Sequence, residues 1–256
     1  MLKQIWRAAC VVILLCSVSA VAATPEKIWL TAADGVQIRG DLYLLDEETR
    51  GSAPTILLFH QAGSNRGEYA SIAPRLNELG FNALAIDQRS GGNRWGYENE
   101  TVEKLGESTD YLDALPDLLA ALEWAAEFDS TGKTLVWGSS YSSALVFLLA
   151  AEHDEVDAVL SFSPGEYLGS GKDEVKTAAR KVTQPVIVLT PEDERGRAQP
   201  VVDAIAAEDK QFVVPDQAVH GSSMLVPDRN PGAAEVWVEV EKFLASLLVQ
   251  PLQKSP

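Results

Sequence analysis

Thr134-Leu135-Val136-Trp137-Gly138-Ser139-Ser140-Tyr141-Ser142-Ser143-Ala144 joins an apolar strand-like run to a helical apolar pattern through a cluster of small residues. A strand that turns directly into a helix leaves one residue projecting above the sheet edge. The turn is so tight that the residues two before and two after it must be small. Gly138 meets that demand fully and Ser142 approximately, giving G-x-S-x-S rather than G-x-S-x-G. The projecting residue is Ser140, a candidate nucleophile. Taken alone, the same stretch also fits a serine-rich helix start capped by Ser139 or Ser140.

The surrounding chain supplies the context. Before it, 54–59 is a continuous apolar run of the kind buried on both faces of a sheet. Helical spacing over 68–79 ends at Gly80, and 81–86 is the next strand. A polar loop leads to a helix over 109–128, in which Pro116 marks either a kink or a late start. After strand 134–137 and helix 140–152 come strand 156–162, helix 173–181, strand 185–190, helix 199–207, strand 211–214 and helix 233–248. An opening hairpin, 27–31 with 36–44, turns through Ala33-Asp34-Gly35. This alternation predicts an α/β fold: a mostly parallel sheet with helices on both faces and an N-terminal antiparallel hairpin. Chemistry in such sheets gathers at the carboxyl ends of the strands.

Two further segments belong with Ser140. Strand 185–190 runs into Pro191-Glu192-Asp193-Glu194, and Gln217-Ala218-Val219-His220-Gly221 follows the next strand. A serine hydroxyl is a poor nucleophile until an imidazole takes its proton, and the imidazole needs a carboxylate to fix its tautomer. Serine, acid and histidine occur here in that order.

On these motifs the chain resembles the α/β-hydrolase superfamily and is most similar to its dienelactone-hydrolase-like group of small serine esterases, over essentially all of 24–256. The resemblance implies a catalytic triad of Ser140, His220 and an acid. In the usual loop of strand, glycine, two residues and acid, Pro191 occupies the glycine's place. That alignment points to Glu194, with Asp193 a close rival and Glu166 a distant third. Of the three histidines, His153 ends the helix begun at Ser140 and His60 belongs to another element, which leaves His220 as the base. His60-Gln61-Ala62-Gly63 corresponds to the second oxyanion segment, so the resemblance assigns the backbone N–H groups of Gln61 and Tyr141 to the oxyanion hole and a structural job to His60. Asp87-Gln88-Arg89-Ser90-Gly91-Gly92 reads as scaffolding, and Trp95 and Tyr97 lie in a loop that could either overhang the pocket or simply pack. The short stretch between 162 and 173 leaves no room for a large cap domain.

Length and composition fit this reading. With 256 residues, 46% of them hydrophobic, the chain supports one sizeable core, and neither repeat nor linker divides it. Lys3 and Arg7, the apolar run 8–15 and the small residues 17–23 predict a signal peptide over 1–23, cleaved after Ala22 or Ala23. The apolar run is shorter than the roughly 20 residues a spanning helix needs, so stable membrane insertion after cleavage is not expected. The expected location is periplasmic or extracellular. Both cysteines, Cys10 and Cys16, fall inside that segment, and Leu15 before Cys16 disfavours lipoprotein processing. Loss of Lys3 and Arg7 takes the net charge from -16 to -18, which argues against nucleic acid or anionic membranes as partners. No dinucleotide, phosphate-loop or metal pattern occurs, and no cofactor is implied. Asn99-Glu100-Thr101 matches a glycosylation sequon. The expected activity is hydrolysis of a small-molecule carboxylic ester. The same triad would also serve a peptidase, thioesterase or lactonase, and the fold alone would serve a non-catalytic binding protein.

Overall fold

A computed structural model describes residues 24–128, 132–169 and 173–249. The expected signal peptide lies outside them. Eight strands form one sheet: β1 (Glu26–Thr31), β2 (Gln37–Tyr43), β3 (Thr55–Phe59), β4 (Asn82–Ile86), β5 (Thr134–Ser139), β6 (Ala158–Phe162), β7 (Val186–Leu189) and β8 (Lys210–Val213). Their spatial order is β1-β2-β4-β3-β5-β6-β7-β8. The β1–β2 hairpin is antiparallel, β2 joins β4 antiparallel, and β3 to β8 are mutually parallel. The strand carrying Ser140 at its end thus lies inside the sheet, between β3 and β6.

The helices are α1 (Ala73–Glu78), α2 (Glu100–Leu105), α3 (Leu115–Phe128), α4 (Tyr141–Glu152), α5 (Glu174–Ala179), α6 (Arg195–Ala204) and α7 (Ala233–Val249). Strand side chains alternate between two apolar layers, as the period of two requires. Leu57, Phe59, Val136 and Val159 face α3, α4, α5 and α6, whereas Ile56, Leu58, Leu135, Trp137 and Leu160 face α1 and α7. In α7 the buried residues Val236, Trp237, Val240, Phe243, Leu244 and Leu247 recur at helical spacing on the sheet side.

Three local departures from the sequence reading have physical causes. The helix expected over 68–79 breaks into a 3₁₀ turn, Arg66–Tyr69, and α1, because Pro74 lacks an N–H and fits only a first turn. Pro116 likewise opens α3 after the 3₁₀ turn Tyr111–Ala114, so a late start replaces a kink. The polar loop after β4 contains α2, whose start is capped by Asn99 Oδ1 accepting from Val102 N at 2.9 Å and whose end is Gly106. Asn99 is buried and its Nδ2 also donates to Gln88 O at 2.9 Å, so the sequon is closed to a glycan.

Buried ion pairs hold the loops beneath the site. Arg66 reaches Asp41 at 3.2 Å, Asp87 at 2.6 Å and Glu100 at 2.9 Å, while Arg89 joins Asp34 and Asp117. Asp87 also accepts from the amides of Arg66 and Glu100. The loop after β4 is therefore a scaffold in fact. Removing one partner of a buried pair typically costs about 3–5 kcal/mol, because the other charge is left uncompensated. Arg66→Met is expected to lose stability on that scale in urea denaturation at pH 7. Burial pushes the Asp87 carboxyl up to about 6 despite Arg66, so at pH 5 that acid is largely neutral and the loss should shrink.

Candidate active site

Ser140 sits between β5 and α4 with φ 59° and ψ −121°, a left-handed conformation that costs a residue with a side chain about 1–3 kcal/mol. Its surroundings fix it there. Ser140 N donates to Phe162 O at 2.9 Å, and Ser140 O accepts from Ser143 N at 2.9 Å and also from Ser143 Oγ. A Cβ on Gly138 would lie 2.3 Å from Ser142 O, so the close approach of α4 to β5 depends on that glycine. Ser142 is fully buried, and its Oγ donates to His60 O at 2.6 Å, which gives the serine in place of the expected glycine a partner.

His220 follows β8 and opens the 3₁₀ turn Gly221–Leu225. Its Nδ1 lies 2.7 Å from Glu194 Oε1. Glu194 closes the 3₁₀ turn Glu192–Glu194 after β7, and Arg197, one turn further on, approaches the same oxygen at 3.7 Å. Neither Asp193 nor Glu166 pairs with His220; Glu166 instead accepts from Val175 N and Lys176 N at the start of α5. The histidine loop is clipped to the serine elbow. Ser222 N donates to Ser139 Oγ at 2.9 Å and Gly221 N to Ser163 Oγ at 3.0 Å. A Cβ on Gly221, at φ 66°, would stand 2.5 Å from Ser139 Oγ. His220 is thereby held beside the elbow with Glu194 behind it.

His60 is buried. Its Nδ1 bonds Gln61 O at 2.8 Å and its Nε2 accepts from Gln88 N at 2.9 Å, which places the proton on Nδ1. Burial holds it well below the ordinary histidine range, at about 4, so it is a neutral brace between the loops after β3 and β4. The N–H of Gln61 donates to Glu68 Oε2 at 2.8 Å, while the next amide, that of Ala62, has no hydrogen-bond partner among the described residues. Glu68, buried in its 3₁₀ turn, went unread because a glutamate at an apparent helix start looks like a solvated first-turn charge.

A cleft of about 510 Å³ opens over His220, lined also by Gln61, Trp95, Val219 and Ser223, with Arg94 and Arg229 at its sides. Its size suits a small ligand. Trp95 overhangs it, donating Nε1 to Ser64 Oγ at 2.9 Å and carrying the Arg229 guanidinium 4.8 Å from its ring. Tyr97 packs instead beside Arg66 and Gly67. A larger cavity of about 700 Å³, between α4, α5 and the start of α3, is lined mainly by leucine, alanine and surface charges and has no nucleophile–base pair. The cleft at His220 contains the histidine that pairs with Glu194.

The sheet order, the serine elbow and the acid and histidine loops define an α/β-hydrolase fold. The dienelactone hydrolase family model matches residues 41–221, and the chain belongs to that family. Dienelactone hydrolase from Anabaena variabilis superposes with a TM-score of 0.66 at 17% identity, covering 87% of this chain and 98% of its own. Est1E from Butyrivibrio proteoclasticus, solved with ferulic acid bound, superposes with a TM-score of 0.69 at 16% identity, covering 87% and 100%. The quorum-quenching protein AidA of Acinetobacter baumannii is 25% identical over 134 residues, which is 51% of this chain and 42% of that protein.

Gly138→Ala tests the elbow. A Cβ inside the Ser142 backbone forces β5 and α4 apart, and overpacking of this kind costs about 1–3 kcal/mol. The urea midpoint should fall accordingly, and labelling of Ser140 by a fluorophosphonate should slow even in the folded fraction.

Proposed function

We propose that this protein hydrolyses small carboxylic esters through an acyl-enzyme on Ser140, with His220 as base and then acid and Glu194 as its partner. The observation that carries the reading is the strained Ser140 elbow beside a His220 whose Nδ1 is 2.7 Å from a carboxylate. With Nδ1–H donated to Glu194, Nε2 is left to accept the Ser140 proton as Oγ attacks the carbonyl carbon. His220 then protonates the departing alkoxide. In the second half, water gives a proton to Nε2 and attacks the acyl carbon, and the acid product leaves as Ser140 regains its proton. Family membership supports this class, as does the esterase Pf2001 of Pyrococcus furiosus, which shares the fold with a TM-score of 0.66 at 18% identity. Tyr141 N, at the start of α4, and Ala62 N are the proposed oxyanion donors, Gln61 N being held by Glu68. Export through the 1–23 segment is part of the same reading.

Fluorophosphonate labelling and p-nitrophenyl acetate turnover should both vanish in Ser140→Ala; retention of either refutes the assignment. An unreactive parent across small esters, lactones, thioesters and peptides would favour a binding protein. Glu194→Gln should lose at least about tenfold more kcat than Asp193→Asn, because only the former leaves the imidazole without its orienting acceptor.

The cleft's charge supports a narrower substrate class. In a chain of net charge -16, Arg94 and Arg229 enter no ion pair among the described residues, and both flank His220. Two guanidiniums without an acidic partner among the described residues, one of them stacked on Trp95, favour an ester that carries its own carboxylate. Both are exposed, so the preference is modest and screened by salt. Arg229→Ala should raise KM for a hemisuccinate ester about threefold or more at low salt while leaving KM for a neutral acetate ester unchanged. An equal change for both esters would remove this narrower reading.

A further inference from the structure

We infer that Glu68 is a positioning residue of the active site, its carboxylate tying the oxyanion turn to the nucleophile elbow and, through Ser139, to the histidine loop. The inference rests on the proposed esterase reading.

The geometry is a hub with one buried acid at its centre. Glu68 is 1% exposed. Oε2 accepts from Gln61 N at 2.8 Å, in the turn after β3, and Oε1 accepts from Ser139 Oγ at 2.7 Å, in the residue before Ser140. Ser139 Oγ in turn accepts from Ser222 N, two residues after His220. The Ser64 hydroxyl, whose oxygen accepts from Trp95 Nε1, is a further polar group that favours the charged form of Glu68.

The donor count calls for an ionised carboxylate. Gln61 N–H can only donate. Ser139 Oγ accepts from Ser222 N and donates its hydroxyl proton to Glu68 Oε1. A neutral acid adds a proton where the surrounding groups already supply donors, and one of them loses its acceptor.

Among the described residues, no cation forms an ion pair with Glu68. Arg66, on the same turn, is committed to Asp41, Asp87 and Glu100. The titratable groups facing Glu68 from its own turn and from α4 are Tyr69 and Tyr141, both raised by burial well above the usual phenol range and therefore neutral. His60, beside Gln61, is neutral as well. Burial accordingly lifts Glu68 to about 7 against the hydrogen bonds that lower it. The sign follows directly: above that value the carboxylate organises the three loops, and as pH falls through it the acid protonates and the organisation weakens.

Glu68→Gln is the test, because glutamine is close in shape to the protonated acid. Two rates are to be measured from pH 8.5 to 5.5: labelling of Ser140 by a fluorophosphonate and kcat for p-nitrophenyl acetate. At pH 8.5 the variant should label and turn over about tenfold more slowly with KM unchanged, a smaller deficit than the roughly 100- to 1,000-fold lost with an oxyanion donor itself, because the donors stay in place and only their alignment loosens. The parent-to-variant ratio should shrink toward one at pH 5.5, where the parent carries the neutral acid too. A ratio that does not change with pH, or no deficit at pH 8.5, overturns the inference. Ser139→Ala, which cuts the link to the elbow but leaves Glu68 in place, should also lower kcat without raising KM. Normal kcat in that variant overturns the link, and thermal unfolding of both variants separates loss of fold from loss of rate. An unlabelled parent would defeat the esterase reading itself, whereas a labelled parent with an indifferent Glu68→Gln defeats this inference alone.

Discussion

The conformation of Ser140 is the constraint on which the rest depends. A residue with a side chain at φ 59° and ψ −121° is not stable on local grounds. It persists because β5 is locked between β3 and β6, because Phe162 O holds its amide, and because Gly138 lets the first turn of α4 come within contact of the strand. Each of these is rigid sheet structure, so the strain is carried by the most stable part of the molecule. The loops around it need only be aligned to a fixed point.

That alignment is done by polar groups withdrawn from water. Arg66 and Arg89 gather the carboxylates beneath the loops after β3 and β4, and the buried Glu68 gathers donors from the loop after β3 and the end of β5. Such groups contribute little net stability compared with an apolar core, since desolvation offsets most of their attraction. Their geometry is directional, however, and an unsatisfied buried donor is costly enough to exclude alternative loop paths. An apolar core would hold the sheet equally well and leave the loops free.

The hairpin, the parallel strands and most helices could be read from the sequence because apolar periodicity reports burial directly. The serine elbow was legible because Gly138 and Ser140 answer a backbone demand. Other features were hidden by competing signals. The apolar spacing over 68–79 outweighed Pro74, although a proline there forbids a continuous helix. The cap of α2 looked like a glycosylation sequon, since Asn-Glu-Thr serves both patterns and only burial of Asn99 separates them. Glu68 and Ser139 carried no pattern at all, because their partners come from loops 71 residues apart in sequence. The choice of Glu194 over Asp193 was legible only through the family's loop spacing, with Pro191 in the glycine's place, and it is Glu194 Oε1 that lies 2.7 Å from His220 Nδ1.

The turn after β3 shows how a buried histidine can matter to a reaction without touching the substrate. Gln61 O accepts from His60 Nδ1 at 2.8 Å and from Ser64 N at 3.2 Å. Both bonds draw electron density toward that oxygen and polarise the peptide linking Gln61 to Ala62, which makes the Ala62 N–H a stronger donor. The neighbouring Gln61 N–H, by contrast, faces the Glu68 carboxylate, which leaves the Ala62 N–H of the same turn as the proposed oxyanion donor. An oxyanion donor is effective when it needs no reorganisation as charge develops. Here the amide on one side is fixed by a carboxylate and the carbonyl by an imidazole, so the remaining N–H of the proposed site is held in place before any substrate arrives.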